Sequence, residues 1–396
     1  MQTRKHTERD AVNDRIRILW PLMQSKYDLL NLLNIVSFSI FGEQSHQITL
    51  RELNRYAYSS IGVTRYTTFQ VPKKKKGEFR TIDAPVPELK YIQRCLNVIL
   101  QTLHTPHAAA MGFVPGRSVA DNAKRHLGQN YVYNLDLKDF FPSISAGRIF
   151  KRLQAKPFCL NAKLASLITD LCCHTNADGR RVLPQGAPSS PTLTNIVCER
   201  LDRKLQQLAK AYRLKYTRYA DDITFSGMSK LFAADGKFCK ALKHIIEQEE
   251  HLVINTDKTR LCHRGMRQEV TGLTVNEKAN VSRRYVKQLR TMLHNMEMFG
   301  YERAQKIYSN SPSAVFSSFP SAIPSSSPSK LEGVAAKRTG VCIKGNVPHL
   351  KNVLAGKLLY LKMVKGETDP TYRKLHDRYQ RLVHTSNRLY KKSNNK

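Results

Sequence analysis

Three carboxylates are the residues best placed to do chemistry. Asp136 lies late in an alternating, β-rich stretch, Tyr131 to Leu137, within LDLKDFFPSI at 135–144. Asp221 and Asp222 are adjacent in YADD at 219–222, between two short strand patterns, Tyr216 to Tyr219 and Ile223 to Phe225. Two strand-like runs separated by a short polar step read as a hairpin, with Asp221 and Asp222 at its tip. Converging carboxylates offer the hard oxygen ligands that Mg²⁺ requires. The chemistry they would serve is phosphoryl transfer with two such ions, one activating an attacking hydroxyl and the other neutralising a leaving pyrophosphate. An isolated Asp-Asp pair is more often a solvated turn, so the weight falls on what surrounds it.

The elements that must position these groups follow from local patterning. Helical spacing runs over 11–42, and Thr49 with Glu52 forms a helix-start signature before Leu53 and Tyr56. Tyr66 to Pro72 and Phe79 to Asp83 read as strands joined by a Lys-rich turn, and Pro87 opens a helix with an apolar stripe at Leu89, Ile92, Leu96, Ile99 and Leu103. Helices are expected at about 146–155, 161–173, 189–210 and 235–250, and strands near 252–255 and 268–275. Hairpins mixed with helices, without regular βαβ alternation, give an α+β class. Beyond 276 the chain turns helical and basic, with helical spacing resumed over 347–392. Residues 309–329, SNSPSAVFSSFPSAIPSSSPS, are too poor in apolar residues to order themselves, so about 309–345 reads as an insertion.

Composition names the class of partner. Of 396 residues, 65 are Lys or Arg against 31 Asp or Glu, a formal net charge of +34. A compact chain carries that self-repulsion most readily beside a polyanion, and nucleic-acid phosphates are the obvious one. The eight cysteines show no CxxC spacing, which fits a reducing cytosol. No apolar signal core opens the chain and no stretch approaches the ~20 apolar residues of a membrane span, so a cytoplasmic protein without a membrane partner is expected.

The ordered set is more specific than any member. LDLKDFFPSI is followed by LPQGAPSSP at 183–191, YADD at 219–222, INTDKT at 254–259 and VTGLTVN at 270–276. This series resembles the motifs of reverse transcriptases, RNA-directed DNA polymerases, in their order. The resemblance covers about 66–276 and extends weakly into the C-terminal helices. It implies a right-hand polymerase with fingers, a palm of antiparallel sheet plus helices, and a helical thumb. Residues 1–275 would be fingers and palm, with palm strands at about 131–141 and 214–275. Residues 276–396 would be the basic thumb, interrupted by the insertion.

The same resemblance makes Asp136, Asp221 and Asp222 the ligands of two Mg²⁺ ions. It sets Phe141, five residues after Asp136, under the nucleotide sugar, where its ring would exclude a 2′-OH. Gln185 and Gly186 resemble the loop at the incoming nucleotide and template. Lys73 and Arg80 resemble a fingers pair that grips the triphosphate, with the Arg fork and the Lys point charge both suited to phosphate oxygens. Lys258 resembles a lysine near the pyrophosphate, a candidate general acid. Arg117, in GFVPGRS at 112–118, would meet template phosphate.

Two short strings resemble those of bacterial retron enzymes: Asn122-Ala123-Lys124-Arg125-His126 and Val270-Thr271-Gly272. Asn122 and His126 share a helix face, which would either flank RNA at a branch point or serve as cap and core. Arg283, Lys287 and Arg290 share one face of a thumb helix with Arg284 at its border, a surface for folded RNA or simply a solvated one. Retron membership would imply a cognate structured noncoding RNA and its DNA copy as partners, with deoxynucleoside triphosphates as substrates. Synthesis would start from the 2′-OH of an internal guanosine and give a branched RNA–DNA molecule. A host RNase H would trim the template, and a separate effector protein would complete an antiphage module. The alternatives are a defence or group II intron-like reverse transcriptase with another primer, and an RNA-binding scaffold with an inactive polymerase core.

Overall fold

The computed structural model describes residues 2–58, 63–72, 77–310 and 348–393, with side chains from 10 to 383 of these. The chain divides into two compact units, Met1–Arg117 with Asn130–Leu261, and Ser118–Gln129 with Cys262–Lys396. The second unit thus takes in Ser118–Gln129 and starts again at Cys262, ahead of the expected boundary at 275.

In the first unit the expected helical stretch over 11–42 is two helices, Gln2–Leu19 and Lys26–Phe41. Pro21, in the turn Trp20–Leu22, lacks the N–H that a continuous helix needs. Ser25 and Asp28 then restart the helix as a capping box, with Ser25 N donating to Asp28 Oδ2 at 2.9 Å. Thr49 caps Leu50–Ala57 in the expected way, and Glu52 N donates to its Oγ1 at 3.2 Å.

The antiparallel hairpin Tyr66–Pro72 and Phe79–Pro85 leads into the helix Pro87–Leu103, whose stripe at Leu89, Ile92, Leu96 and Ile99 is buried. A four-stranded sheet carries the strands in the order Lys215–Tyr219, Asp222–Gly227, Tyr131–Leu137, Ile254–His263. Alternation along Tyr131–Leu137 sets Leu135 and Leu137 on one face, where they join a core with Ile223 and Phe225 from the neighbouring strand and Leu193, Leu201 and Leu205 from the helices. The helical run expected at 189–210 divides at Cys198 into Ser190–Val197 and Glu199–Ala211. The one expected at 235–250 is Lys237–Lys243 followed by a π-turn, His244–Glu249.

In the second unit Ser118 caps the short helix Val119–Lys124. Glu269–Val270 pairs with Leu273–Thr274 across Thr271 and Gly272, which have φ 47° and 81°. Two positive-φ residues in a two-residue loop define the turn that matches strand twist, and glycine suits its second place. The helices Arg283–Ser309, kinked at Gly300, Leu350–Lys365 and Pro370–Ser393 pack on one another, and Leu289, Leu293, Leu354, Leu358, Leu361 and Leu375 on them are buried. From 311 onward the expected Ser/Pro-rich insertion lies outside the described residues. No described helix is long and apolar enough to cross a membrane.

Candidate active site

Register brings the three carboxylates together. Tyr131–Leu137 runs antiparallel to Asp222–Gly227, and Asp136 is the direct partner of Asp222. Tyr219 pairs with Asp222 in the hairpin, so Ala220 and Asp221 form its two-residue loop. Ala220 takes φ 58°, a conformation that costs a side-chain-bearing residue about 1–2 kcal/mol. The loop is fastened from the neighbouring strand by Leu137 N, which donates to the Asp221 carbonyl at 3.1 Å.

Charge is crowded here. Desolvation and then the Asp136 carboxylate raise Asp221 above the usual carboxylate range. Desolvation, then Asp221 and Asp136, push Asp222 up to about 7. Such mutual repulsion is what a divalent cation relieves. Lys258 Nζ donates to Asp136 Oδ2 at 2.7 Å and Asn255 Nδ2 to the same oxygen at 3.3 Å. Desolvation works to lower the Lys258 pKa, but the hydrogen bond to Asp136 and the three carboxylate charges outweigh it and hold the ammonium protonated. Among the described residues no three His, Cys, Asp or Glu side chains form a ready-made metal cage. A hard cation of the Mg²⁺ kind takes part of its shell from carboxylates and the rest from substrate phosphates and water. Hard, mutually repelling oxygens at one strand-end fit that role.

Around the carboxylates the structure places the other expected residues unevenly. Arg80 lies on the exposed return strand of the hairpin at 66–85, and its charge acts on Asp221. Lys73 lies outside the described residues. Gln185 accepts from Asp83 N at 2.9 Å, which docks its loop on the same strand as Arg80. Gly186, at φ 140°, sits so close that an added Cβ would meet Asp83 O and the Ile82 side chain at 2.9 Å.

Phe141 is half-buried, and Phe140 beside it is core. Its ring centroid lies 6.2 Å from Phe113 and 5.8 Å from Phe140, while Phe113 lies 6.5 Å from Tyr219. The Phe141 ring is thus backed by two aromatic neighbours. Phe141→Ala is expected to lower deoxyribonucleotide selectivity by roughly 10–100-fold, measured as the ratio of kcat/KM for dGTP and GTP. Unchanged discrimination would leave Phe141 a packing residue only.

Arg117 is half-buried, and its Nη1 donates to the carbonyls of His107 at 2.8 Å and Ala110 at 2.5 Å, so this arm of the fork closes its own loop. Asn122, His126 and Val270 are corrected. They are 1%, 0% and 0% exposed, which removes them from direct contact with RNA. Asn122 Nδ2 reaches Thr271 Oγ1 at 3.5 Å, and Gly128 N donates to Val275 O at 3.3 Å, so the two strings pack against each other inside the second unit. Thr271 is half-buried and Gly272 exposed. Arg283, Arg284, Lys287 and Arg290 are all exposed on Arg283–Ser309, while Leu289 and Leu293 of the same helix are buried.

Several site residues escaped the sequence reading. Asn255 shares Asp136 with Lys258. Phe113, at φ 61°, backs Phe141. Gly112 lies against the hairpin, where an added Cβ would meet Ala220 N at 2.7 Å. The glycine in GFVPGRS was a legible signal for such a close approach.

The family model described as "Reverse transcriptase (RNA-dependent DNA polymerase)" matches residues 71–301. The Retron Mx65 reverse transcriptase of Myxococcus xanthus is 42% identical over 244 residues, 59% of this chain and 56% of that protein. The Retron Ec86 reverse transcriptase of Escherichia coli is 37% identical over 238 residues, 59% of this chain and 70% of that protein. Among solved structures, a telomerase from Candida albicans aligns at TM-score 0.39 and 12% identity, over 80% of this chain and 63% of that one. The chain spans little more than half the length of the Myxococcus relative. With the family match covering more than half of the chain, and with its mixed helices and antiparallel sheets, the chain belongs to the reverse transcriptase family of right-hand polymerases and, within it, to the bacterial retron type.

Proposed function

We propose that this chain is the RNA-directed DNA polymerase of a retron, copying part of its own structured noncoding RNA into DNA. The observation that carries the reading is the register that sets Asp136 opposite Asp222, with Asp221 on the turn between paired strands. Asp136, Asp221 and Asp222 would hold two Mg²⁺ ions, which when bound activate the primer hydroxyl and neutralise the leaving pyrophosphate. The chain's own groups do the rest. Arg80 offers its fork to triphosphate oxygens, Phe141 closes the space beside the sugar, and Lys258 carries a proton on Nζ for the departing pyrophosphate.

Self-priming from an internal guanosine requires its 2′-OH, and not a terminal 3′-OH, to be held within ~3–3.5 Å of the reacting phosphorus. The exposed basic face of Arg283, Lys287 and Arg290 supports recognition of the folded RNA that would present it. Asn122 and His126, being interior, contribute by shaping the second unit. An antiphage module with a separate effector protein completes this reading.

The test is expression with the native noncoding RNA, followed by electrophoresis of extracted DNA before and after debranching. A discrete species that shifts on debranching is expected. Linear, unbranched DNA alone would remove the retron reading and leave the polymerase reading standing.

A further inference from the structure

A second polar cluster lies behind the carboxylates, and it is fully interior. Arg218 and Asp202 are both 0% exposed. Arg218 Nε donates to Asp202 Oδ1 and Nη2 to Oδ2, each at 2.7 Å, a two-point fork. Tyr216 Oη donates to the same Oδ1 at 2.7 Å. The two remaining contacts leave the pair. Arg218 Nη2 donates to Asn195 Oδ1 at 3.1 Å, and Nη1 donates to the Ala220 carbonyl at 3.2 Å. Asn195 in turn donates from Nδ2 to the Gly112 carbonyl at 3.0 Å, on the loop that lies against Tyr219 and Ala220.

Stability alone gives no reason for such a pair. Desolvating two charges costs as much as their attraction returns, and well-packed apolar side chains of similar volume often serve equally well. What the fork supplies is direction. With two nitrogens fixed on Asp202, the guanidinium plane cannot turn, and its third nitrogen is aimed at one carbonyl. That carbonyl belongs to Ala220, the residue whose positive φ makes the turn the weak point of the hairpin. Like charge on Asp221 and Asp136 acts on the same turn. Arg218 holds the Ala220 carbonyl while Leu137 N holds the Asp221 carbonyl.

We propose that Arg218, anchored by Asp202 and Asn195, is the positioning residue that fixes the Ala220–Asp221 turn against Asp136. Arg218 acts through the turn and touches no substrate. The inference rests on the polymerase reading for its kinetic consequence, but its consequence for cation binding is separate. A turn displaced by about 1 Å costs an active site about 10²-fold in rate.

Two variants remove the bracket in different ways. Arg218→Lys keeps a charge opposite Asp202 but loses the fork. The triple variant Arg218→Met, Asp202→Leu and Tyr216→Phe exchanges the network for apolar packing. Leu205→Ala, a buried change on the same helix as Asp202, is the packing control. The readouts are melting temperature, Mn²⁺ binding to the substrate-free protein by electron paramagnetic resonance, and kcat and KM on an annealed primer–template.

Each folded bracket variant is expected to bind Mn²⁺ about tenfold more weakly, a shift of about 1.4 kcal/mol, and to lose about 10²-fold in kcat. KM for the nucleotide should stay within about twofold. Leu205→Ala should lower the melting temperature and leave Mn²⁺ affinity as in wild type. Wild-type Mn²⁺ affinity and kcat in either folded bracket variant would overturn the proposal, as would an equal loss of Mn²⁺ affinity in Leu205→Ala. A wild type that binds Mn²⁺ but incorporates no nucleotide would instead overturn the polymerase reading, and the Mn²⁺ comparison would still judge the bracket.

Discussion

Asp222→Asn is expected to abolish DNA synthesis, on the order of 10³-fold or more in kcat, while cognate RNA binding stays close to wild type. A neutral amide supplies no charge to a cation, and Asp222 stands directly opposite Asp136. The same substitution should stabilise the cation-free protein. A carboxyl whose folded pKa is raised to about 7, from 3.8, binds more protons folded than unfolded between those values. Stability is therefore present below about pH 4 and is lost as pH rises toward 7. Asn carries no such penalty, so the gain should appear at pH 8 and vanish near pH 4. After screening by solvent it is about 1 kcal/mol, or roughly 2–4 °C in melting temperature for a unit of this size. Primer extension and thermal melts at the two pH values check both parts. Wild-type extension by Asp222→Asn and by Asp221→Asn would end the assignment of these carboxylates.

The second large effect concerns RNA choice. Lys287→Glu with Arg290→Glu reverses two charges on the exposed face of Arg283–Ser309. If that face meets phosphates, each lost contact removes about one unit from the slope of log affinity against log salt. The double variant should therefore bind the cognate structured RNA with a slope shallower by about 2, and at least about tenfold more weakly at low salt. Extension of a generic annealed primer–template should fall much less. Equal losses on both substrates would make this helix a general duplex grip.

The parts that were legible in the sequence share one property: their signals are local. The strand at Asp136, the YADD hairpin and the Thr49 cap each depend on residues within a few positions. Arg218 was one basic residue among 65 Lys and Arg, and its partner Asp202 stands 16 positions away on a helix. Nothing nearby marks it as interior. Ala220 and Phe113 adopt positive φ without being glycine, so composition gave no warning of either. Asn122 and His126 erred in the opposite direction. Polar residues in a marked string suggest a ligand, yet tertiary packing takes both inside. The break at Pro21 was readable, because proline carries its own reason.

The excursion of Ser118–Gln129 into the second unit has a consequence during synthesis. Its packing partners begin at Cys262, about 130 residues later. At ribosomal speeds of about 5–20 residues per second, that delay is roughly 7–27 s. Through that interval the segment bearing Asn122 and His126 lacks the partners that the second unit later supplies. The strand of Asp136 finds one of its two neighbours, Asp222–Gly227, sooner, and the other, Ile254–His263, only at about the same point. The nascent chain therefore completes its carboxylate hairpin while the segment just upstream still waits, and no single cut in the finished protein divides one unit from the other.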